Sequence, residues 1–144
     1  MNDKCFIIER KIMKIGNKLS YLRMEDLNKH GLTTSQSETI LYFDRNDGKT
    51  ITDLKEHLQV SHQAARKFIE SLKKKELLYD EISEADGRFK KIHLTNRGQI
   101  LCDELKQKGH SVGDHILKGI EEESFDVIIS ILEQMERNVE NFKV

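Results

Sequence analysis

The stretch that decides the fold is residues 50–76, TITDLKEHLQVSHQAARKFIESLKKKE. Apolar residues recur in it at helical spacing, and two residues of the kind that begin helices, Thr50 and Ser61, divide it into two segments. Only Gln59 and Val60 lie between the end of the first segment and the cap of the second. Two helices joined by so short a connection predict a helix-turn-helix, whose second helix runs to about the end of this stretch.

The second of these helices is strongly basic. Between residues 61 and 75 it carries five Lys or Arg residues against one Glu, a net charge of +4. In a DNA major groove Gln suits an adenine edge and Arg suits a guanine edge, and a helix N-terminus offers free N–H groups to phosphate. A solvated basic face is the alternative interpretation. The residues predicted to contact DNA from this helix are Ser61, His62, Gln63, Arg66 and Lys67.

A β-hairpin is predicted directly after the basic helix. Residues 78–82 and 89–94 have the pattern of strands, and the Asp-Gly pair between them is a strong hairpin signal. Arg88 and Lys90 follow this turn, and a positive side chain on a hairpin tip can reach into a minor groove. Asp86 is expected to accept a hydrogen bond from Arg88 and to hold it in one rotamer. The alternative is an exposed ion pair that contributes less than ~1 kcal/mol.

Residues 32–98 resemble the winged helix-turn-helix of the MarR-type transcriptional regulators. The order and spacing of many matches carry this resemblance. The pair Asp86 and Arg88 corresponds to the family's D-x-R in the wing, and residues 94–98 correspond to its L-T-x-x-G. Glu76 departs from the pattern, since it stands where the family usually has Gly. The other matching residues are Leu32, Thr33, Gln36, Asp53, Leu54, Leu58, Val60, Ser61, Leu72, Lys74, Lys75 and Leu77.

The resemblance implies a homodimer that binds a pseudo-palindromic operator in double-stranded DNA, usually as a repressor. The five residues of the basic helix would lie in the major groove and Arg88 in the minor groove. The expected fold is mainly α with a small β-hairpin wing: a winged helix-turn-helix flanked by N- and C-terminal dimerisation helices. A small-molecule effector is usual in this family, but the sequence does not assign its chemistry.

A helix with alternating apolar spacings of three and four is predicted near each end of the chain, over residues 4–27 and 124–142. Each could pack on its own domain, but two such helices in a small chain favour a shared dimer interface. We expect residues 1–144 to form one domain, with 32–98 as the DNA-binding region and 4–27 and 99–144 as dimerisation helices. The predicted dimerisation residues are Ile8, Ile12, Ile15, Leu19, Phe125, Ile128, Leu132, Met135 and Val139.

Composition limits the classes of function further. The chain has 144 residues, 34% of them charged and 37% hydrophobic, with two Cys and no Pro. Two Cys are too few for a disulfide framework, so a reducing, cytoplasmic setting is expected. No apolar run approaches the ~20 residues of a membrane span, so no membrane partner is expected. Residues 60–98 are net +3 and residues 99–144 net −5, so positive charge is concentrated where DNA binding is predicted.

Neither an enzyme nor a cofactor or metal site is expected. The sequence contains no Walker phosphate loop, no G-x-S-x-G and no H-E-x-x-H. His110 and His115 are five residues apart, which does not place both on one face of a helix. Cys102 follows Leu101 in a helical segment, where a buried packing role is expected.

Two other functions stay open beside the leading prediction of a repressor that a small ligand or another signal releases from DNA. Cys5 could make the protein a thiol-based redox-sensing regulator of the same fold. A winged-helix protein-interaction module without DNA binding is the second alternative, and the acidic C-terminal third leaves room for it.

Overall fold

The computed structural model describes residues 3–85 and 87–144. Contacts divide the chain into two compact units, residues 1–106 and 107–144, and one long helix runs through the boundary. The single domain expected from the sequence stays a prediction. The elements in chain order are α1 (Asp3–Lys29), α2 (Thr34–Arg45), α3 (Ile51–Leu58), α4 (His62–Lys74), β1 (Leu78–Ile82), β2 (Lys90–Leu94), α5 (Asn96–Ile116), a 3-10 turn (Glu122–Ser124) and α6 (Phe125–Glu140).

Three helices of the first unit begin at side-chain caps, among them Thr50 and Ser61, which the sequence predicts. The hydroxyl of Thr33 accepts from the N–H of Gln36 at 3.1 Å, and the side chain of Gln36 accepts from the N–H of Thr33 at 2.9 Å. Thr50 and Asp53 form the same reciprocal pair at the start of α3, and Ser61 caps α4. These bonds satisfy N–H groups that a first helical turn leaves free, so the helix starts are fixed locally.

The turn between α3 and α4 is as short as predicted. Gln59 makes it possible because it adopts the left-handed conformation, with φ 54°. The two helices then pack on α2 around a common apolar core. That core holds the basic helix rigidly and leaves its opposite face to solvent. The buried residues include Ile40, Phe43, Leu54, Ala65, Ile69 and Leu72.

Helix α4 ends earlier than predicted. Its last residue is Lys74, whereas the sequence pattern placed the end near Glu76. Glu76 has φ 60°, in the left-handed region that glycine favours, so it adopts the conformation expected of the family's Gly at this position. The N–H of Leu77 then donates to the carbonyl of Leu72 at 2.9 Å and closes the helix end.

The predicted hairpin is present. Strands β1 and β2 are antiparallel, and their register pairs Leu78 with Leu94 and Ile82 with Lys90. Phe89, predicted to begin the second strand, lies just before it, where its carbonyl accepts from the N–H of Ser83 at 2.9 Å. The bond closes the wing without extending the ladder.

Gly98 shows why a glycine closes the L-T-x-x-G pattern. Its N–H donates to the hydroxyl of Thr95 at 3.0 Å in the first turn of α5. A Cβ at Gly98 would lie 2.1 Å from the carbonyl oxygen of Leu77, which is backbone and cannot rotate away. The glycine therefore lets α5 approach the end of α4 closely.

We expect Gly98→Ala to lower the free energy of unfolding by roughly 1–3 kcal/mol, because the chain must shift to relieve the contact. Gly109→Ala is the matched control, since Gly109 lies in the same helix with nothing within 4 Å of its Cβ position. That variant should gain roughly 0.5–1 kcal/mol from helix propensity. Urea titration of both variants checks the pair, and equal stability of the two would show that the approach at Gly98 is not tight.

The terminal helices leave apolar faces uncovered within their own units. In α1 only Leu27 is buried, and Ile8, Ile12 and Ile15 are exposed. In α6 no residue is buried; Leu132 is 47% exposed. The other predicted dimerisation residues divide into half-buried Leu19, Phe125, Ile128 and Met135 and exposed Val139.

These exposed apolar side chains are consistent with a partner surface, and dimerisation through them stays a prediction. No helix in residues 3–85 and 87–144 is both long and apolar enough to span a bilayer.

Candidate nucleic-acid interface

The five residues predicted to contact DNA from α4 share one exposed surface. They occupy the N-cap and the first two turns, and each is exposed. The opposite side of the helix is anchored by the buried side chains of Ala65, Ile69 and Leu72. The helix therefore presents its N-terminal half outward from a fixed base. The residues on this surface are Ser61, His62, Gln63, Arg66 and Lys67.

Two side chains of this surface contact each other. The Arg66 guanidinium lies 3.4 Å from the Nε2 atom of His62, one helical turn away. The ring nitrogen can accept from the guanidinium when it carries no proton. The contact orders the guanidinium while leaving most of its five N–H groups free, which suits bidentate contact with a guanine edge.

Part of the positive charge counted in the sequence serves the scaffold. The Nζ atom of Lys73 donates to Asp80 of β1 at 2.8 Å and lies 3.6 Å from Glu70. The hydrogen bond to Asp80 raises the pKa of Lys73 despite the opposing effect of partial burial. Lys75 donates to the carbonyl of Gly31 at 3.1 Å. Less of the positive charge of α4 is therefore available to a ligand than its sequence predicts.

Two of the predicted DNA contacts in the wing lie within the residues that the structure describes, and both face solvent. Arg88 lies in the turn and Lys90 begins β2, and both are exposed. Asp86, predicted to hold Arg88, lies outside the described residues. The pairing of Asp86 with Arg88 therefore stays a prediction.

His93 at the base of the wing was not singled out in the sequence. Its Nδ1 atom lies 2.7 Å from a carboxylate oxygen of Asp47, in the turn between α2 and α3, and its Nε2 atom lies 2.8 Å from Glu81 of β1. Partial burial lowers the pKa of His93, but the hydrogen bonds to the two carboxylates outweigh it, and the net shift is upward from 6.5. The ring thus connects the wing with the helix-turn-helix.

A second feature missed by the sequence is a pocket of about 270 Å³ within residues 30–104. Its wall combines apolar side chains with the cations of Lys75 and Arg97. His30 and Glu104 face each other across 3.9 Å in the same wall. The residues come from α5, the end of α4 and the turn after α1, so no local sequence pattern marks them. The full lining is His30, Lys75, Leu77, Arg97, Ile100, Leu101 and Glu104.

The two cysteines differ in environment. Cys5 is exposed on α1, whereas Cys102 is fully buried, which confirms its expected packing role. Burial, with Asp44 nearby, raises the pKa of the Cys102 thiol to about 11, so it is a poor nucleophile at neutral pH. Among the residues that the structure describes, no group of three or more His, Cys, Asp or Glu side chains is placed to hold a metal ion.

A model of the MarR family matches residues 30–88, which include the helix-turn-helix, β1 and the turn up to Arg88. This part of the chain is therefore similar to the MarR family. The resemblance drawn from the wing and helix motifs is therefore confirmed. No curated protein matches the chain significantly in sequence.

Solved MarR-family structures share the fold over most of the chain. FabT of Streptococcus pneumoniae, crystallised in complex with DNA, is 22% identical with a TM-score of 0.80, covering 94% of this chain and 97% of its own. The transcriptional regulator SlyA is 20% identical with a TM-score of 0.78, covering 92% and 93%. MepR of S. aureus, in a DNA complex, is 21% identical with a TM-score of 0.76, covering 89% and 93%. The predicted winged-helix fold of MarR-family transcriptional regulators is confirmed.

Proposed function

We propose that this protein is a DNA-binding transcriptional repressor that binds a pseudo-palindromic operator as a homodimer. One observation carries the proposal: all five predicted contact residues of α4 are exposed on the half of the helix that projects from a capped, buried base. FabT and MepR, which share this fold, have been crystallised with DNA. In this proposal α4 enters the major groove and the wing follows the adjacent minor groove.

Different residues supply specificity and affinity. Gln63 and Arg66 read base edges, because their side chains offer paired donors and acceptors in the patterns that adenine and guanine present. Ser61 and Lys67 contact phosphates at the helix N-terminus, and His62 orients Arg66. Arg88 and Lys90 add positive charge along the minor groove.

The exposed apolar faces of α1 and α6 support dimerisation. Side chains such as Ile12 and Leu132 are nearly half exposed in the single chain, and a partner that covers them would gain roughly 25 cal/mol for each Å² of apolar surface buried. Two copies related by a two-fold axis present two recognition helices, which is why the operator should be pseudo-palindromic.

The pocket beside α5 suits a small organic anion, whose binding would release the protein from DNA. Leu77, Ile100 and Leu101 suit an apolar body, and Lys75 and Arg97 suit a carboxylate. Titration of the protein–DNA complex with benzoate and with the neutral benzamide tests this. Selective release by the carboxylate supports the proposal, and indifference to both argues against an anion-responsive pocket.

The main test is selection of binding sites from a pool of random duplexes. The proposal predicts enrichment of a pseudo-palindrome whose half-sites lie about one helical turn, roughly 10 base pairs, apart. An unenriched pool would favour the interaction-module alternative. A DNA complex that dissociates on mild peroxide treatment and is insensitive in Cys5→Ser would favour the redox-sensing alternative, which the exposure of Cys5 permits.

A separate prediction concerns the wing and the salt dependence of DNA affinity. If Arg88 contacts a phosphate-lined minor groove, Arg88→Ala should flatten the slope of log affinity against log salt by about 0.9 per wing, hence by nearly two for a dimer. Fluorescence anisotropy across a salt series measures the slope. Lys118→Ala, which removes an exposed lysine outside the winged region, is the control and should leave the slope unchanged. An unaltered slope in Arg88→Ala would show that the wing does not touch DNA.

A further inference from the structure

His93 occupies a position between two carboxylates. Asp47 approaches Nδ1 at 2.7 Å from the α2–α3 turn, and Glu81 approaches Nε2 at 2.8 Å from β1. Tyr79 of β1 stacks on the ring with centroids 5.1 Å apart. The His93 side chain is 15% exposed, whereas those of Asp47 and Glu81 are 71% and 57% exposed. The ring is therefore held in place while its two partners stay in contact with solvent.

The two contacts define the protonation state that fits this site. A neutral imidazole has one N–H and one lone pair, so one of its nitrogens would face a carboxylate oxygen without a proton between them. The imidazolium form donates to both oxygens at once. The geometry on both sides of the ring is thus satisfied only when His93 carries its second proton.

The same site joins the wing to the helix-turn-helix through the backbone. The N–H of Gly48 donates to the carbonyl of Ile92 at 2.9 Å, and the N–H of Ile92 donates to the carbonyl of Lys49 at 3.0 Å. Gly48 has φ 78°, and a Cβ there would lie 3.4 Å from Cε1 of His93, so the turn fits closely against the ring. Breaking the contact between His93 and Asp47 would remove a side-chain bridge between this turn and β2.

We propose that His93 is a proton-dependent positioning residue, which in its imidazolium form fixes the wing on the α2–α3 turn. The effect of this docking on DNA affinity rests on the proposed function. A wing that is no longer fixed must be ordered when DNA binds, and this ordering weakens binding. Affinity should therefore fall as pH rises and His93 loses its proton.

The sign of the pH dependence follows from the linkage between proton binding by His93 and docking of the wing. The His93 pKa is raised above 6.5 when the wing is docked, so the docked state binds a proton more tightly than the undocked state. The stabilisation is fully present below the undocked pKa and is lost as pH rises through the docked pKa. Each unit of difference between the two pKa values changes the docking equilibrium about tenfold. Because both carboxylates are largely exposed, we expect a change of about three- to tenfold.

The first experiment tests the site without DNA. An NMR titration of the His93 Cε1–H resonance should give a pKa above 6.5, and Asp47→Asn should lower it. The protection of the Gly48 and Ile92 amides against hydrogen exchange, corrected for the intrinsic pH dependence, should fall over the same pH range. A His93 pKa at or below 6.5, or amide protection that does not change with its titration, would overturn the proposal.

The second experiment tests the consequence on a duplex obtained by selection, between about pH 5.5 and about 8.5. At low pH, His93→Gln should bind DNA three- to tenfold more weakly than the wild type, which is the affinity that the wild type shows at high pH. The change in affinity with pH should be smaller in the variant than in the wild type. His110→Gln, a change at an exposed histidine of α5, should keep the wild-type profile. A wild-type profile in His93→Gln would refute the link between His93 and DNA affinity. Absence of DNA binding at every pH, with the NMR result intact, would instead refute the proposed function and leave the docking role of His93 standing.

Discussion

Leu132→Glu is expected to leave the protein monomeric at micromolar concentration and to weaken operator binding by a factor of at least about 100, since a monomer reads one half-site. Leu132 is 47% exposed in the single chain and lies in the apolar series that runs from Phe125 to Val139. A carboxylate there would have to be buried without a partner when two copies associate, and such a charge costs several kcal/mol. Sedimentation velocity and anisotropy on the selected duplex measure the two effects.

Ser130→Glu is the matched control for this charge. Ser130 is exposed on the same helix but outside the apolar series, so its variant should stay dimeric and bind DNA normally. If Leu132→Glu remained a dimer, α6 would not form the interface. If it became a monomer with full operator affinity, paired half-site recognition would be wrong.

Arg66→Ala should produce the second large loss. One bidentate contact with a guanine is worth roughly 1–3 kcal/mol, and a dimer makes it twice, so operator binding should weaken by about 2–6 kcal/mol. Preference at one base pair of each half-site should disappear, because the side chain that reads it is gone. Binding to random duplex should weaken much less, since that binding depends on phosphate contacts.

Lys74→Ala provides the comparison within the same helix. Lys74 is exposed at its C-terminal end, outside the predicted contact surface. The variant should keep the preference of the wild type at every position of the operator. Equal losses on operator and random duplex in Arg66→Ala would mean that Arg66 contacts only phosphate, and base reading would then have to be assigned to Gln63.

Much of the fold could be predicted because its signals are local. The caps at Thr33, Thr50 and Ser61 act within four residues, and the hairpin follows an Asp-Gly pair. The exposure of the α4 contact residues follows from helical periodicity once Ala65 and Leu72 are recognised as buried. Sequence motifs in the wing indicated similarity to the MarR family, whose family model matches residues 30–88.

The features that were missed depend on contacts between distant segments. His93 and Asp47 are 46 residues apart, and Lys75 reaches the carbonyl of Gly31 across 44 residues. Lys73 was counted in the positive charge of the basic helix, because nothing in that helix shows that Asp80 accepts a hydrogen bond from it. Helix α4 also ended two residues early, since the left-handed conformation of Glu76 is rare outside Gly and Asn.

In the proposed function, the exposed N-terminal half of α4 reads DNA sequence. The most direct measurement is the ratio of affinities for the selected duplex and for a scrambled duplex of the same composition, taken at one salt concentration near about 150 mM. We expect a ratio of about 1,000 or more, in the range of specific regulators, and a smaller ratio for Arg66→Ala. Equal affinities for the two duplexes would contradict it, because they would reduce the basic helix to an electrostatic surface without sequence recognition.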